Sequence, residues 1–213
     1  YGHKDLRIVS QSSPTGTQFL QAVGCAMARK MEKTKDVVYV SSGEGTTSQG
    51  DFHEALNWAS NAKAPVIFHV QDNDYAISTH KSLQSADSVY AMAAGYKNLS
   101  RYDVNGTDFF ETNLAFKQAI DRARKGKGPS LIVSNVVRLL PHSSSDDQRK
   151  YRSEDDLAED RKRDPLIVLE AQCVKEKFIT AKEFEKIRQD IQVQVDADTQ
   201  WEIHYTPGHL WAN

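Results

Sequence analysis

The sequence lacks the features that several functional classes require. Among its 213 residues no apolar run is long enough to cross a bilayer. Cysteine is scarce: Cys25 and Cys173 form neither a metal-ligand nor a redox spacing, which excludes a disulfide framework. That scarcity suits a reducing compartment, and a cytoplasmic location is expected, with the mitochondrial matrix as the alternative for a eukaryotic source. The formal net charge of -2 gives no electrostatic case for nucleic acid or a membrane surface as partner. A zinc HExxH pattern, an internal repeat and a low-complexity tract are all missing. The chain opens on Tyr1 rather than methionine, so an upstream segment is expected to have been removed, and no targeting peptide can be read. What remains is 39% apolar and 26% charged, enough for one sizeable core, or one core with an appendage.

One stretch organises this material. Val37 to Val40 is a short apolar run that leads into Gly43-Glu44-Gly45, and a second run, Val66 to Val70, leads into Asp72-Asn73-Asp74-Tyr75. Between them Phe52, Ala55, Leu56 and Ala59 recur at helical spacing, with Thr46, Thr47 or Ser48 available as a cap. This predicts a strand-helix-strand unit whose parallel strands end on one edge of a sheet, where Glu44 and Asn73 converge. A carboxylate and an amide oxygen are hard donors, suited to magnesium when a ligand's phosphates complete its shell, and flanking glycines allow close backbone approach. The same residues also suit two ordinary turns after strands, and spacing alone leaves both readings open.

Around this unit the pattern repeats. Arg7 to Gln11 reads as extended and enters the turn Ser12-Ser13-Pro14-Thr15-Gly16-Thr17-Gln18, a possible helix cap. Phe19, Leu20, Val23, Met27 and Met31 then form a core-facing helical stripe, on which Cys25 is expected as a small core residue. His80 to Asp87 reads as a polar loop, Met92 to Tyr96 as a short helix and Arg101 to Val104 as a strand. Asp108 can cap a helix to Lys125 with Leu114, Ile120 and Ala123 buried, and Ser130 to Leu139 reads as a strand buried on both faces. The expected fold class is α/β, three layers, with a mostly parallel sheet covered by helices on both faces. His142, in the loop after the last strand, reaches the edge that carries Glu44 and Asn73 by topology. The other histidines, His3, His53, His69, His80, His204 and His209, have no ligand-spaced partners and read as structural or exposed.

From Glu154 the composition turns to dense charge, so the α/β domain is expected over 1–153, a helical extension over 154–204 and a linker-like end over 205–213. In the extension, Asp164-Pro165 opens a helix to Phe178 and Thr180 to Glu183 is a capping box. Phe184, Ile187, Ile191 and Val195 give the next helix one apolar side.

Gly43-Glu44-Gly45 followed by Asp72-Asn73 resembles the thiamine diphosphate motif, with Glu44 in place of an Asp and Asp72 in place of an Asn. Gln49-Gly50, Glu54-Ala55, Asn57 and Tyr75-Ala76-Ile77-Ser78 further resemble the alpha component of 2-oxo acid dehydrogenases, and Glu44 resembles the branched-chain members. The likeness extends to about Asp164. His142, Ser143, Ser145-Asp146-Asp147 and Tyr151-Arg152-Ser153 match that family's last loop, and Arg138 matches an upstream arginine. Leu140 stands where the family has a second histidine, and mammalian relatives are phosphorylated at the position of Ser143.

The resemblance implies decarboxylation of a 2-oxo acid on thiamine diphosphate, with the acyl group passed to a lipoyl acyltransferase core. It assigns magnesium to Glu44, Asn73 and the Tyr75 backbone oxygen, and cofactor contacts to Gly43, Gly45, Thr46 and Gln71, the last standing where an arginine is common. It assigns His142 to the cofactor's reacting end as proton donor or acceptor, a role suited to the side chain that titrates nearest neutrality. Ser13, Thr17 and Gln18 would hold potassium, while Ser13 and Thr15 would also lie against the cofactor. The implied partners are a beta component, separate or fused, in an α2β2-type oligomer. Branched-chain 2-oxo acids are the expected substrates, with pyruvate or acetoin as the alternative. A nicotinamide dehydrogenase is disfavoured because the third glycine of its fingerprint is absent; a non-catalytic assembly module is the competing reading of another class.

In the resembling family the carboxylate that activates the cofactor comes from the beta component. The chain alone is therefore expected to bind the cofactor poorly and to show no turnover, and measurable 2-oxo acid decarboxylation by the purified chain without a partner would refute this.

Overall fold

The computed structural model describes residues 2–205, with side chains described through residue 199. Chain contacts divide it into one unit reaching Pro165 and a second from Leu166 onward.

In chain order the first unit contains α1 (Thr17–Met31), β1 (Val38–Gly43), a 3₁₀ turn (Glu44–Ser48), α2 (Gly50–Ala62) and β2 (Val66–Asp72). A hairpin of β3 (Tyr75–Ala76) and β4 (Thr79–His80) follows, then α3 (Val89–Met92), β5 (Ser100–Asn105), α4 (Phe109–Arg124), β6 (Ser130–Asn135) and α5 (Glu154–Lys162). The main sheet is parallel throughout, in the order β1-β2-β6-β5. Gly43 pairs with Gln71, Asp72 with Asn135, and Asn105 with Asn135, so all four strands finish at one edge.

Alternation along these strands divides the core in two. Val40, Val66, Phe68, Val70, Leu131 and Val133 face α1 and α2, where Phe19, Val23, Phe52 and Leu56 pack with them. Ile67, Val104 and Ile132 face the opposite way, onto Ala115 and Ala119 of α4. Helices cover both faces, which is the expected α/β arrangement. Phe19 is completely buried, and its ring meets Phe52 edge-on at 5.0 Å and Phe68 at 6.2 Å.

Several local expectations are corrected. β6 stops at Asn135 instead of continuing to Leu139, because its neighbours end at Asp72 and Asn105; one last backbone bond, from the Val136 amide to the Asp72 carbonyl at 2.8 Å, closes the pairing. α2 starts at Gly50, later than Thr46 to Ser48 suggested. Those threonines lie in the 3₁₀ turn, and Gln49 at the N-cap makes no side-chain bond. The Ser-Ser-Pro turn gives α1 no side-chain cap either, since Gly16 occupies that position with φ 101°. Met31, the last residue of α1, and Leu114, which lies beside the buried Ala115-Ala119-Ala123 stripe of α4 rather than on it, are exposed. Cys25 is half-buried rather than core. Arg7 to Gln11 is preceded by a tight turn in which His3 and Ile8 exchange backbone bonds at 2.9 Å. By contrast, Asp108 does cap α4, accepting from the amides of Phe110 and Glu111 at 2.9 and 3.1 Å.

The boundary expected at 153/154 lies instead after Pro165. Arg152, buried to 7% exposure, donates to Asp156 and Asp160 of α5 at 3.0 and 2.6 Å, so the charged run is bound to the first unit through ion pairs.

The second unit contains α6 (Pro165–Lys175) and α7 (Ala181–Tyr205). α6 ends before Phe178 because Lys177 takes a left-handed conformation, φ 60°, and the Phe178 amide turns back to the Cys173 carbonyl at 2.9 Å. The capping box forms: the Thr180 amide donates to Glu183 at 2.9 Å and the Glu183 amide to the Thr180 hydroxyl at 3.3 Å. Arg188 donates to Glu170 at 2.7 Å, whereas Ile187, Ile191 and Val195 remain about half exposed. α7 runs to Tyr205, and the rest of the expected linker-like end, with His209, lies outside the described residues.

Truncating Phe19 to Ala is expected to cost about 3–5 kcal/mol, because the cavity would open between two helices and the sheet. Met31→Ala, at 81% exposure, should stay within about 0.5 kcal/mol. Urea denaturation of the two variants checks the contrast.

Candidate functional site

The carboxyl edge of the sheet assembles the site. β1 ends at Gly43 and the chain turns at once into the 3₁₀ turn, which withdraws the Glu44 side chain from water to 3% exposure. One carboxylate oxygen of Glu44 accepts from the Asn73 amide at 3.3 Å. The other, Oε1, is buried and has no hydrogen-bond partner among the described residues. Burial raises the pKa of Glu44, its own amide and that of Asn73 oppose the shift, and Asp72 and Asp74 add to it. An ionised, half-satisfied buried carboxylate calls for positive charge.

Asn73 follows β2 directly, and its side-chain oxygen accepts from the Tyr75 amide at 3.2 Å. The turn is braced by Asp72, whose oxygens take the Asp74 amide at 3.0 Å and the Lys81 ammonium at 2.9 Å. Lys81 also pairs with Asp74 at 2.6 Å. Partial burial pulls the Lys81 pKa down, but its bonds to Asp74 and Asp72 outweigh that and hold the ammonium charged. Asp72 is 4% exposed, so its charge is compensated where it lies. Lys81 was not anticipated as part of this arrangement. Its only signal was a cation a few residues beyond two acidic ones.

Gly45 has a concrete reason to be glycine: a Cβ there would lie 2.6 Å from Ala76 Cβ in β3. At Gly43 the nearest atom to such a Cβ would be the Gln71 carbonyl oxygen at 3.9 Å, leaving the strand end open above. Thr46 is buried and its hydroxyl accepts from Ser42 at 2.6 Å; Gln71 is exposed at the edge.

The turn before α1 abuts the same region, because a Cβ on Gly16 would come 3.0 Å from Gln49 and 3.7 Å from Thr46. Its polar groups are spent on one another. The Thr17 hydroxyl bonds to Ser12 and donates to the Pro14 carbonyl, and Gln18 accepts from the Gly16 amide at 2.9 Å. Ser13 and Thr15 are exposed, and Thr17 and Gln18 lie with them in this one turn.

His142 leaves the sheet at the expected edge and is exposed. Its amide donates to Asp146 at 2.9 Å, and Asp146 also accepts from the Tyr151 hydroxyl at 2.6 Å. Those two bonds depress the Asp146 pKa, that of Tyr151 first. The loop is carried over the site by arginines. Arg138 donates to the Ile77 carbonyl and the Tyr151 hydroxyl, both at 2.7 Å. The guanidinium groups of Arg138 and Arg152 lie 5.4 and 5.1 Å from the Tyr75 ring centre. Glu44 and Asn73 are thus brought into contact, while His142 is linked to them only through the loop's grip on Tyr75 and Ile77. Ile77 itself holds φ 55°, unusual for a β-branched residue, at the tip of the β3-β4 hairpin.

His69, read as structural, sits in a chain of hydrogen bonds across three strands: Tyr39 hydroxyl to His69 Nδ1 at 2.9 Å and His69 Nε2 to Ser134 Oγ at 3.0 Å. Burial lowers its pKa. His80 accepts from the Ser82 amide and caps a short turn.

The donor set at this edge fits a divalent cation shared with an anionic ligand: an orphaned buried carboxylate oxygen, a side-chain amide oxygen beside it, and two strand ends open to solvent. No group of three or more His, Cys, Asp or Glu side chains forms a self-sufficient metal cage among the described residues, so the ligand's oxygens would have to complete the shell.

Comparison with known proteins shows the family. The sequence model of the family described as Dehydrogenase E1 component matches residues 1–204. The 2-oxoisovalerate dehydrogenase subunit alpha of Bacillus subtilis is 43% identical over 191 residues, covering 89% of this chain and 57% of that protein. The pyruvate dehydrogenase E1 component subunit alpha of Staphylococcus aureus is 42% identical over 153 residues, covering 71% of this chain and 41% of that protein. The chain therefore spans little more than half the length of the one and less than half of the other. Among solved structures, a transketolase from Campylobacter jejuni superposes on 58% of this chain and 20% of its own, with TM-score 0.52 and 26% identity. With a glycine-flanked buried carboxylate meeting an asparagine at a parallel sheet edge, and a family match over nearly its whole length, this chain belongs to the dehydrogenase E1 component family.

Proposed function

We propose that this chain is the alpha component of a thiamine diphosphate-dependent 2-oxo acid dehydrogenase, acting on branched-chain 2-oxo acids with a beta component and a lipoyl acyltransferase as partners. The observation that carries this reading is the buried Glu44 carboxylate with its unsatisfied Oε1, bonded on its other side to the amide of Asn73. Family membership makes thiamine diphosphate the expected ligand. When bound, that cofactor supplies the carbon nucleophile and the sink for the electrons released by decarboxylation.

The chain's own residues have positional and electrostatic tasks. Glu44 and the Asn73 side-chain oxygen would hold magnesium against the diphosphate, with the Tyr75 carbonyl as a third oxygen. Magnesium would take up the charge that burial makes unfavourable on Glu44. Gly45 lets the β3 strand close against the turn, so the donors are held by rigid elements. The Asp72-Lys81-Asp74 ion pairs keep the Asn73 turn from opening when the cation is absent. His142, on the exposed loop, would exchange a proton with the reacting group once the loop and a partner surface close over the edge.

Branched-chain specificity is supported by Glu44, the residue that branched-chain members carry, and by the Ser145-Asp146-Asp147 loop. A pyruvate-type component is the second reading, supported by the similar identity to the Staphylococcus aureus protein.

Two outcomes are expected. Because burial raises the Glu44 pKa, the folded chain binds that proton more tightly than the unfolded one. This contribution is fully present below the unfolded carboxylate pKa and is lost as pH rises through the folded value. Glu44→Gln should therefore raise the melting temperature at neutral pH, with the gain shrinking on acidification, while magnesium together with thiamine diphosphate stabilises wild type mixed with a beta component and not the variant so mixed. A variant less stable than wild type at neutral pH would contradict the assignment. Calorimetric titration of thiamine diphosphate with magnesium into the chain mixed with a beta component should show Asn73→Ala weakening binding by about tenfold or more, about 1.4 kcal/mol. Equal binding by both would remove Asn73 from the site.

A further inference from the structure

The edge of the sheet opposite the Glu44 site carries an unneutralised patch of positive charge. Every strand of the main sheet begins there, and the loops that lead into them bring Lys33 and Lys35, Lys63, Lys97, and Lys125 and Lys127 to one end of the first unit, all exposed. Contacts tie these loops together. Lys30 donates to the Ala62 carbonyl beside Lys63, Lys35 reaches the Arg124 carbonyl at 3.5 Å, and Arg122 bonds the carbonyls of both Asn98 and Lys127 at 2.8 Å.

Two of the acids nearby are already taken, while Asp121, four residues before Lys125, forms no ion pair among the described residues. Asp36 accepts from Arg29 and Arg7, and Glu32 pairs with Arg29. None of the six loop lysines has a carboxylate within ion-pair distance among the described residues. Compensation of helix dipoles accounts for Arg29, Lys30, Arg122 and Arg124 in the last turns of α1 and α4. It does not account for Lys35, Lys97 or Lys127, which lie outside the helices. Lys33 and Lys63 moreover hold φ 57° and 48°, where glycine is the less strained residue, so lysine is kept there against a backbone cost.

We propose that this basic end is a docking surface for an acidic protein segment, on the pole of the unit opposite the cofactor edge. Four strands spaced by roughly 4.8 Å give the end a breadth of about 14 Å. That is comparable to the Debye length of about 10 Å at 0.1 M salt, so the lysines act on a partner collectively. A protein segment fits better than nucleic acid. The patch consists of lysines without interleaved exposed aromatic rings on which bases could stack, and the net charge is -2.

The test is fluorescence anisotropy of labelled poly-L-glutamate titrated with the full chain, at low and at physiological salt. The patch variant Lys33→Glu, Lys63→Glu, Lys127→Glu is compared with a control, Lys150→Glu, Lys175→Glu, Lys186→Glu, that changes net charge equally. Wild type should bind with strong salt dependence, the patch variant about tenfold more weakly, and the control within about twofold of wild type. If circular dichroism shows the patch variant unfolded, the neutral set Lys35→Gln, Lys97→Gln, Lys127→Gln replaces it and should weaken binding in the same direction. Equal weakening by patch and control variants, no binding by wild type at low salt, or tighter binding of an oligouridylate RNA than of polyglutamate would each overturn the proposal.

Discussion

The parallel pairing of β1, β2 and β6 is the constraint on which the site depends. Because Gly43 lies opposite Gln71 and Asp72 opposite Asn135, three chain segments far apart in sequence are released from the sheet at the same height. Glu44, Asn73 and the loop carrying His142 start from that common line. A one-residue slip in β2 would turn Phe68 and Val70 out of the α1-α2 core and move Asn73 away from Glu44 at the same time. Packing and site geometry therefore rest on one register.

Charge at this edge is arranged unevenly, and the unevenness carries the chemistry. Asp72 is as deeply buried as Glu44, yet it is fully engaged by Lys81 and the Asp74 amide. Arg152 is likewise buried and engaged by Asp156 and Asp160. Only Glu44 retains a buried, unpartnered carboxylate oxygen among these groups. The chain compensates the charges that hold its turns in place and leaves one carboxylate oxygen without a partner. At the other end of the sheet the imbalance has the opposite sign, with lysines that no local acid answers. A single parallel sheet thus separates an edge with an unpartnered buried carboxylate oxygen from one with exposed lysines.

Much of this was legible in the chain itself. Apolar runs of strand length separated by helical periodicity specify a parallel α/β sheet, since buried strands need cover on both faces. The glycine-flanked Glu44 and the residues after Val70 mark the site because strand ends are where such sheets expose backbone. Asp108 and the Thr180-Glu183 box are readable because capping is a local interaction. The dense charge after Ser153 was misleading: composition suggests a domain boundary, but Arg152 reaches forward to Asp156 and Asp160 and draws that helix into the first unit. Met31 and Leu114 were misread because large apolar residues suggested the buried side, whereas α1 ends at Met31 and α4 packs through the small residues Ala115, Ala119 and Ala123.

Local sequence by itself determined the elements, their order and the presence of Glu44 and Asn73 at strand ends, because propensity, periodicity and turn chemistry act over a few residues. Tertiary structure alone decided which of Glu44's oxygens is satisfied, that Lys81 neutralises Asp72, that Arg138 and Arg152 hold the His142 loop against Tyr75 and Ile77, and that lysines from separate loops share one surface. Those are interactions between residues distant along the chain, and their energies depend on burial and on partners that only the closed sheet brings within reach.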